Sequence, residues 1–490
     1  MASQFPAPIY RDTVLAHVFA DAKRLFLDSM IEIDYAHLLM LTQQKIVSRE
    51  TAVLCLRALD SLDLEAIRST PYDGSVEDLF FLIEQKLADL CGADNAGRIH
   101  TARSRNDIDM TMYRMVLRSR LLATLDAVAA LRTRLVTLAS EHRSALMPAY
   151  THNQPAQPTT LGHYLMAIIE ILERDTERLR AAFLRVNRSP LGACAITTTG
   201  FPIDRAQTMT MLGFHGLQTN SYGAIASVDY ITESCSVLAV TMLNLGRFAQ
   251  DLLLWSTAEF NFLRLSDGYV QISSIMPQKR NPVPLEHVRI LSSRSLSEAQ
   301  STLQSLHNTP FADMNDSEDS FQPLVDMAFT DGLRALLLLE GVLSEATFNL
   351  DHMRARAAGS FLTVTELADT LVRETGISFH QAHTFVAAAV KSANGIFSAE
   401  AMVASVLASL ATAGVQAPEP SILFRALDPE YFVAIRSIPG GPALEALSPE
   451  IARAEAQLAT DRVWLASQRE QIQTAQRSIR KAADSLLAAQ

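Results

Sequence analysis

TMYRMVLRSRLLATLDAVAALRTRLVTLASEHRSALM, residues 111–147, contains neither glycine nor proline. Leu117, Leu121, Leu125, Val128, Leu131 and Leu135 recur in steps of three and four, which draws one apolar stripe along a helix. If unbroken, that helix is about 55 Å long at 1.5 Å per residue. Similar patterns run near 161–186, 224–263, 285–307 and 324–354, and no sustained alternation marks a strand. Long helices joined by short polar loops predict an all-α chain built on an extended bundle.

Composition narrows the class. The 490 residues are 48% hydrophobic and only 19% charged, so a large core forms and disorder is excluded. So few charges imply helices buried on more than one face, as in an obligate oligomer. The net charge of −11 and the absence of a basic run exclude nucleic acid as a partner. Any anionic substrate is met by local cations, not by the field of the whole chain. Cys55, Cys91, Cys194 and Cys235 lie far apart, which points to reduced core thiols and to neither a disulfide framework nor a structural zinc. Pro6 and Pro8 stand where the apolar segment of a signal peptide would lie, and no uncharged run approaches the roughly 20 residues of a membrane span. The expected compartment is the cytoplasm, with no membrane partner.

Breaks in the helical pattern divide the chain. Pro148, Pro155 and Pro158 follow the first long helix; further breaks cover 189–202, 267–284 and 308–323. Shorter patterns begin near Ser360, and Pro439-Gly440-Gly441 reads as a turn. The expected division is 1–110, an N-terminal helical domain; 111–359, the bundle; and 360–490, a C-terminal helical domain. Its last stretch, 448–490, reads as a solvated or oligomer-facing helix.

The breaks carry the chemistry. Ser273-Ser274-Ile275-Met276-Pro277-Gln278-Lys279-Arg280-Asn281-Pro282, with Glu286 four positions on, packs hydroxyls, a cation, an amide and a carboxylate into one loop before a helix. A mobile loop so equipped suits a reaction that builds negative charge on a bound carboxylate. His100-Thr101-Ala102-Arg103-Ser104-Arg105-Asn106-Asp107 offers fork-shaped donors for a carboxylate; equally, Ser104 or Asn106 can cap a helix and the arginines can sit in surface ion pairs. Tyr150-Thr151-His152-Asn153-Gln154-Pro155 places a hydroxyl beside an imidazole, able to hold a carboxylate and manage a proton. Ser189-Pro190-Leu191-Gly192, running to Phe201-Pro202-Ile203-Asp204-Arg205, reads nearly as well as a structural loop with an Asp–Arg pair.

In this order the four segments resemble the argininosuccinate lyase branch of the fumarase/aspartase superfamily, and Leu367-Ala368-Asp369-Thr370-Leu371-Val372-Arg373 adds a fifth match. The likeness spans most of the chain from about Ser75 to Lys391. It implies a three-domain, all-α fold with a homotetrameric helical core and composite sites drawn from three subunits. It implies reversible elimination of an amine from a succinyl unit to give fumarate, without metal or organic cofactor. By resemblance, Ser273 removes the Cβ proton, and Lys279 and Asn281 stabilise the dianionic aci-carboxylate. Ser104, Asn106 and Thr151 hold the substrate carboxylates with Arg105 nearby, and Ser274 and Met276 complete the loop's contacts. His152 takes Glu286 as the carboxylate that orients it.

Several positions depart from that branch. Phe5-Pro6-Ala7-Pro8-Ile9-Tyr10 replaces its N-terminal Trp-Gly-Gly-Arg-Phe run, and Ile272 stands where a glycine precedes the two serines. Tyr222-Gly223 and Ala226-Ser227-Val228-Asp229 lose an Asp and an Arg. Ser317 and Ser320 fall where the branch has a glutamine and a lysine that face arginine. Loss of a buried cation favours a different amine. The expectation is therefore a C–N lyase for another N-substituted aspartate, an aminopolycarboxylate such as ethylenediamine-N,N'-disuccinate, with argininosuccinate as the alternative. A non-catalytic homologue, like the lens crystallins related to this family, is disfavoured because Ser273, His152, Lys279, Asn281 and Glu286 are all kept.

Overall fold

The computed structural model describes residues 5–488, and helix dominates them. Leu27–Gln43 (α1) and Arg49–Asp60 (α2) lead into Arg105–Glu141 (α3), the stretch from which the fold was read. Helix α3 starts earlier than the apolar stripe because Ser104 caps it: the Ser104 and Asp107 side chains exchange hydrogen bonds with each other's backbone in a capping box. It stops at Glu141, short of Met147. The proline-bounded segment that follows is instead an antiparallel hairpin, Leu146–Thr151 (β1) with Gln154–Thr160 (β2). Apart from this hairpin the strands are two-residue pairs, so the absence of long alternation is consistent with what folds.

Leu161–Val186 (α4) coincides with its sequence pattern, and Thr160 caps it by accepting the His163 N–H at 3.1 Å. Arg205–Met211 (α5) is short. Asp229–Trp255 (α6) is long and apolar enough to pass as a membrane span by length and composition, yet it is a bundle helix with Ile231, Leu238, Leu245 and Leu252 in the core. Gln271–Ile272 (β3) pairs with Arg280–Asn281 (β4), and Val283–Leu306 (α7) and Gln322–Glu345 (α8) follow. The pattern over 324–354 is split: α8 ends at Glu345 and a second helix runs over Leu350–Ala358. Helices α3, α4, α6, α7 and α8 pack side by side as the expected bundle.

Among the described residues the buried apolar side chains form two cores. The large one joins the N-terminal helices to the bundle; the small one is built by Leu367, Leu371, Val386, Met402, Leu410 and Leu423. The final helix, Leu444–Ala488 (α9), belongs to the large core, which corrects the solvated half of the reading of 448–490 as a solvated or oligomer-facing helix. Leu447, Ile451, Ala454, Leu458 and Leu465 repeat at helical spacing and are buried against α3 and α4. Alanines make this stripe short-sided and hard to see by hydrophobicity. Ion pairs fasten the same face: Asp461, buried within the stripe, meets Arg132 of α3 at 2.6 Å and Arg180 of α4 at 2.8 Å.

Candidate active site

The start of α3 is a tight polar knot. The Ser104 hydroxyl donates to Asn106 Oδ1 at 2.9 Å, and Asn106 Nδ2 donates to Asp313 Oδ2 at 2.5 Å and to the Ala195 carbonyl at 3.2 Å. Asp107, fully buried, accepts the backbone N–H of Ser104 at 2.9 Å, of Gly192 at 2.8 Å and of Cys194 at 2.9 Å. Burial pushes its carboxyl up to about 6, against the pull of those three N–H groups. Asp107 thus ties the Pro190-Leu191-Gly192 loop to the helix start. Gly192 has φ +88°, and a Cβ there would lie 2.6 Å from Arg205 Cγ. Arg205 caps that loop by donating to the carbonyls of Pro190, Leu191 and Gln218, while Asp204 caps α5. The expected Asp–Arg pair is absent because each side chain is spent on backbone.

Both arginines of this run sit in ion pairs, the second of the two readings left open. Arg103 forms a buried pair with Asp34 at 2.5 Å. Arg105 pairs with Asp78 at 2.6 Å and Glu77 at 3.1 Å, and its guanidinium lies 5.0 Å from the centre of the Phe81 ring. These contacts fix its position at the helix start.

Thr151 and His152 sit at the tip of the β1–β2 hairpin. Thr151 pairs with Gln154, and His152 (φ 52°) and Asn153 (φ 60°) form the two-residue connection. Positive φ at both centres is what a primed turn needs to match the strand twist. It costs strain at a residue that is not glycine, which the hairpin holds in place. Gln157 ties β2 to the helix over Val364–Thr375 through Thr365 at 3.2 Å. Both Thr151 and His152 are exposed.

The Ser273 loop rises from the β3–β4 pair. Ser273 Oγ accepts the N–H of Met276 at 3.1 Å and of Ile275 at 3.3 Å. Two backbone donors on one hydroxyl oxygen stabilise a serine oxyanion, the form needed for proton abstraction. Lys279 N donates to the Met276 carbonyl at 3.0 Å and closes the turn. Asn281 Nδ2 binds the Gln271 carbonyl at 3.0 Å. Arg280 latches the stem, meeting Asp267 at 2.6 Å and the Leu265 carbonyl at 2.8 Å. Ser274, Met276, Lys279 and Glu286 are exposed.

No hydrogen bond or ion pair links the α3 start, the hairpin tip and the Ser273 loop to one another among the described residues, and none joins His152 to Glu286. Thr151, His152, Lys279 and Glu286 are exposed, whereas Ser104, Asn106 and Ser273 are half-buried, each on its own element. Within the described residues of one chain, these segments are not joined by polar contacts into a single site.

Beside Asn106 lies a feature that sequence reading missed. Asp109, Asp313, Glu318 and Asp319 gather near the α3 start, with Tyr113 donating to Asp319 at 2.5 Å and the Asp313 Oδ1 atom buried without a partner. Burial first, and then their mutual repulsion, holds Glu318 up to about 7. Burial raises Asp319 to about 6 against the Tyr113 bond, and it raises Asp313 and Asp109 as well, Asp109 with Asp319 as its leading charged neighbour. Of the two serines set against the family's glutamine and lysine, Ser317 is buried and donates to the Met314 carbonyl at 3.1 Å, while Ser320 is exposed.

Comparison with known proteins follows the same lines. Residues 70–296 match a lyase family model, and residues 361–434 match the argininosuccinate lyase C-terminal model. The chain is 44% identical to argininosuccinate lyase 2 of Agrobacterium fabrum over 90% of its own length and 89% of the relative's. It is 38% identical to argininosuccinate lyase of Methanosarcina mazei, covering 89% of each chain. Among solved structures, an EDDS lyase variant with bound fumarate superposes with a TM-score of 0.86 at 33% identity, over 95% of this chain and 92% of that one. Class II fumarase of Schistosoma mansoni, at 14% identity and TM-score 0.67, covering 84% of this chain and 90% of that one, shares the fold alone.

Proposed function

The chain belongs to the argininosuccinate lyase branch of the fumarase/aspartase superfamily and is a C–N lyase that releases fumarate; from that premise we propose that it cleaves argininosuccinate to arginine and fumarate. The observation that supports this substrate is the carboxylate group Asp109–Asp313–Glu318–Asp319 beside Asn106. A guanidino leaving group carries positive charge next to the succinyl part, and carboxylates that repel one another are relieved by such a cation. The curated relatives point the same way and shift weight away from the aminopolycarboxylate first expected.

Ser273, its oxyanion held by the Ile275 and Met276 N–H groups, takes the Cβ proton. The electron pair delocalises onto the neighbouring carboxylate, where Lys279 and Asn281 meet the second negative charge. Ser104, Asn106 and Thr151 hold the succinyl carboxylates, Ser274 and Met276 border them, and the C–N bond breaks as the leaving nitrogen is protonated. His152, oriented by Glu286 of another subunit, is assigned to that proton. A homotetramer closes the chamber: Val240, Leu243, Ile290, Leu303 and Leu337 are exposed on α6, α7 and α8, a face that a second bundle covers. The three-domain division and a cytoplasmic location complete this reading.

A second reading keeps ethylenediamine-N,N'-disuccinate, because Ser320 leaves the family's lysine position without a cation and EDDS lyases are similar in structure. Fumarate formation, followed by ultraviolet absorbance with both substrates side by side, decides between them. A kcat/KM for argininosuccinate at least about tenfold higher supports the first reading, and the reverse order overturns it.

A further inference from the structure

Behind the hairpin lies a cavity of about 390 Å³ whose lining includes none of the residues assigned to the substrate. Its walls come from β1 and β2, α4, the end of α6 and the segment after Pro429–Ala434. The lining is mainly aromatic. Tyr164 packs on Trp255 with ring centres 4.8 Å apart, Tyr150 packs on Phe260 at 5.7 Å, and Phe432 closes one side. This size and character match sites that take small organic ligands.

Two polar facts make it more than a packing gap. Trp255 is only 3% exposed, yet its indole N–H has no hydrogen-bond partner among the described residues. A buried indole N–H ordinarily finds an acceptor. The nitrogen is not among the sealed, unpartnered atoms of the interior, and Trp255 is one of the residues that line the cavity. The second fact is an arrangement of opposite charges at the mouth. Asp251 accepts the Tyr164 hydroxyl at 2.7 Å and has no cationic partner among the described residues, and Arg436, tied to Glu366 at 3.1 Å, also lines the cavity. An occupant that satisfies this lining needs a flat ring, an acceptor for the Trp255 N–H and a cation for Asp251.

We propose that this cavity binds an aromatic α-amino acid: ring among the aromatic side chains, carboxylate on the Trp255 N–H toward Arg436, ammonium on Asp251. Met147, Pro148, Ala149, Tyr150 and Asn153 belong both to the cavity wall and to the hairpin that presents Thr151 and His152. Occupancy therefore bears on the strained His152 turn and alters turnover from a distance, through a shared structural element.

The chain has two tryptophans, Trp255 and Trp464. In the full-length Trp464→Phe protein, Trp255 alone reports. L-phenylalanine should shift its emission saturably, and 3-phenylpropionate or phenethylamine, each lacking one charge, should need about tenfold more ligand. Asp251→Asn should abolish the preference for phenylalanine over 3-phenylpropionate. Ala167→Phe, at the exposed mouth, should abolish the response while leaving the melting temperature unchanged. Saturating phenylalanine should change kcat/KM for fumarate release in the parent protein and leave Ala167→Phe unaffected. The absence of a saturable response up to about 10 mM, an equal response to all three ligands, or a response that survives Ala167→Phe overturns the site. Binding with no change in turnover overturns the coupling to the hairpin. None of these readings depends on which amine the enzyme releases.

Discussion

Arg280→Gln tests whether the Ser273 loop works only with its stem latched. In the structure Arg280 Nη1 meets Asp267 and Nη2 meets the Leu265 carbonyl, so one guanidinium joins the two ends of the loop. The Leu265 bond is partly buried and made by a charged donor, so its net contribution is about 1.5 kcal/mol, roughly tenfold in the population of the latched stem. Asp267 is 90% exposed, and an ion pair so open to water adds little. Arg280→Gln should therefore lower kcat/KM for fumarate release about tenfold, and Asp267→Asn only about twofold. Arg280→Lys should recover part of the loss, because an ammonium reaches one partner and not both. Raising the salt concentration should weaken the parent slightly and leave Asp267→Asn unchanged. Melting temperatures should not move, since the loop lies outside both cores. A tenfold loss in Asp267→Asn with none in Arg280→Gln refutes the latch, as does parent-like turnover in Arg280→Gln.

Ser273→Ala should lower kcat more than about a thousandfold with KM within a few-fold, because a base acts in the transition state; stopped assays for fumarate check this, and near-parent turnover removes Ser273 from the role. Glu318 and Asp319 keep protons in the folded chain that the unfolded chain has already lost between roughly pH 4.5 and 7, so their contribution to stability falls as pH rises across that window. Denaturation midpoints measured across it should show Glu318→Gln flattening the fall, and a slope equal to the parent's counts against the carboxylate cluster. Asp461→Ala leaves buried Arg132 with Glu173 at 3.3 Å as its one carboxylate, beside the Thr176 hydroxyl at 3.3 Å, and should cost about 3 kcal/mol in urea unfolding with no change in the denaturant slope; a loss under about 1 kcal/mol shows that α9 is fastened by its apolar stripe alone.

Much of the molecule is local and was therefore legible. The stripe in 111–147 predicts α3 because periodicity at 3.6 residues needs only neighbouring positions. Ser104 could be read both as a cap and as a carboxylate donor, and it is a cap whose hydroxyl oxygen lies in the candidate site. The Pro-rich segment 148–158 was read as a break; its hairpin escaped notice because Pro148 and Pro158 pair across strands that have no apolar alternation.

The sequence by itself determined the all-α bundle, the loop bearing Ser273 and the order of motifs that places the chain in its family. Tertiary structure alone decided how the side chains are spent. Arg105 goes to Glu77 and Asp78, 28 and 27 residues away; Asp107 goes to Gly192, 85 residues away; Asn106 reaches Asp313 across 207. It also packed one face of the final helix onto α3 and α4 and opened the cavity behind His152. The reason is physical: helical periodicity is set by bonds between residues four apart, whereas a charge or a donor takes whichever partner the packed chain brings within 3 Å.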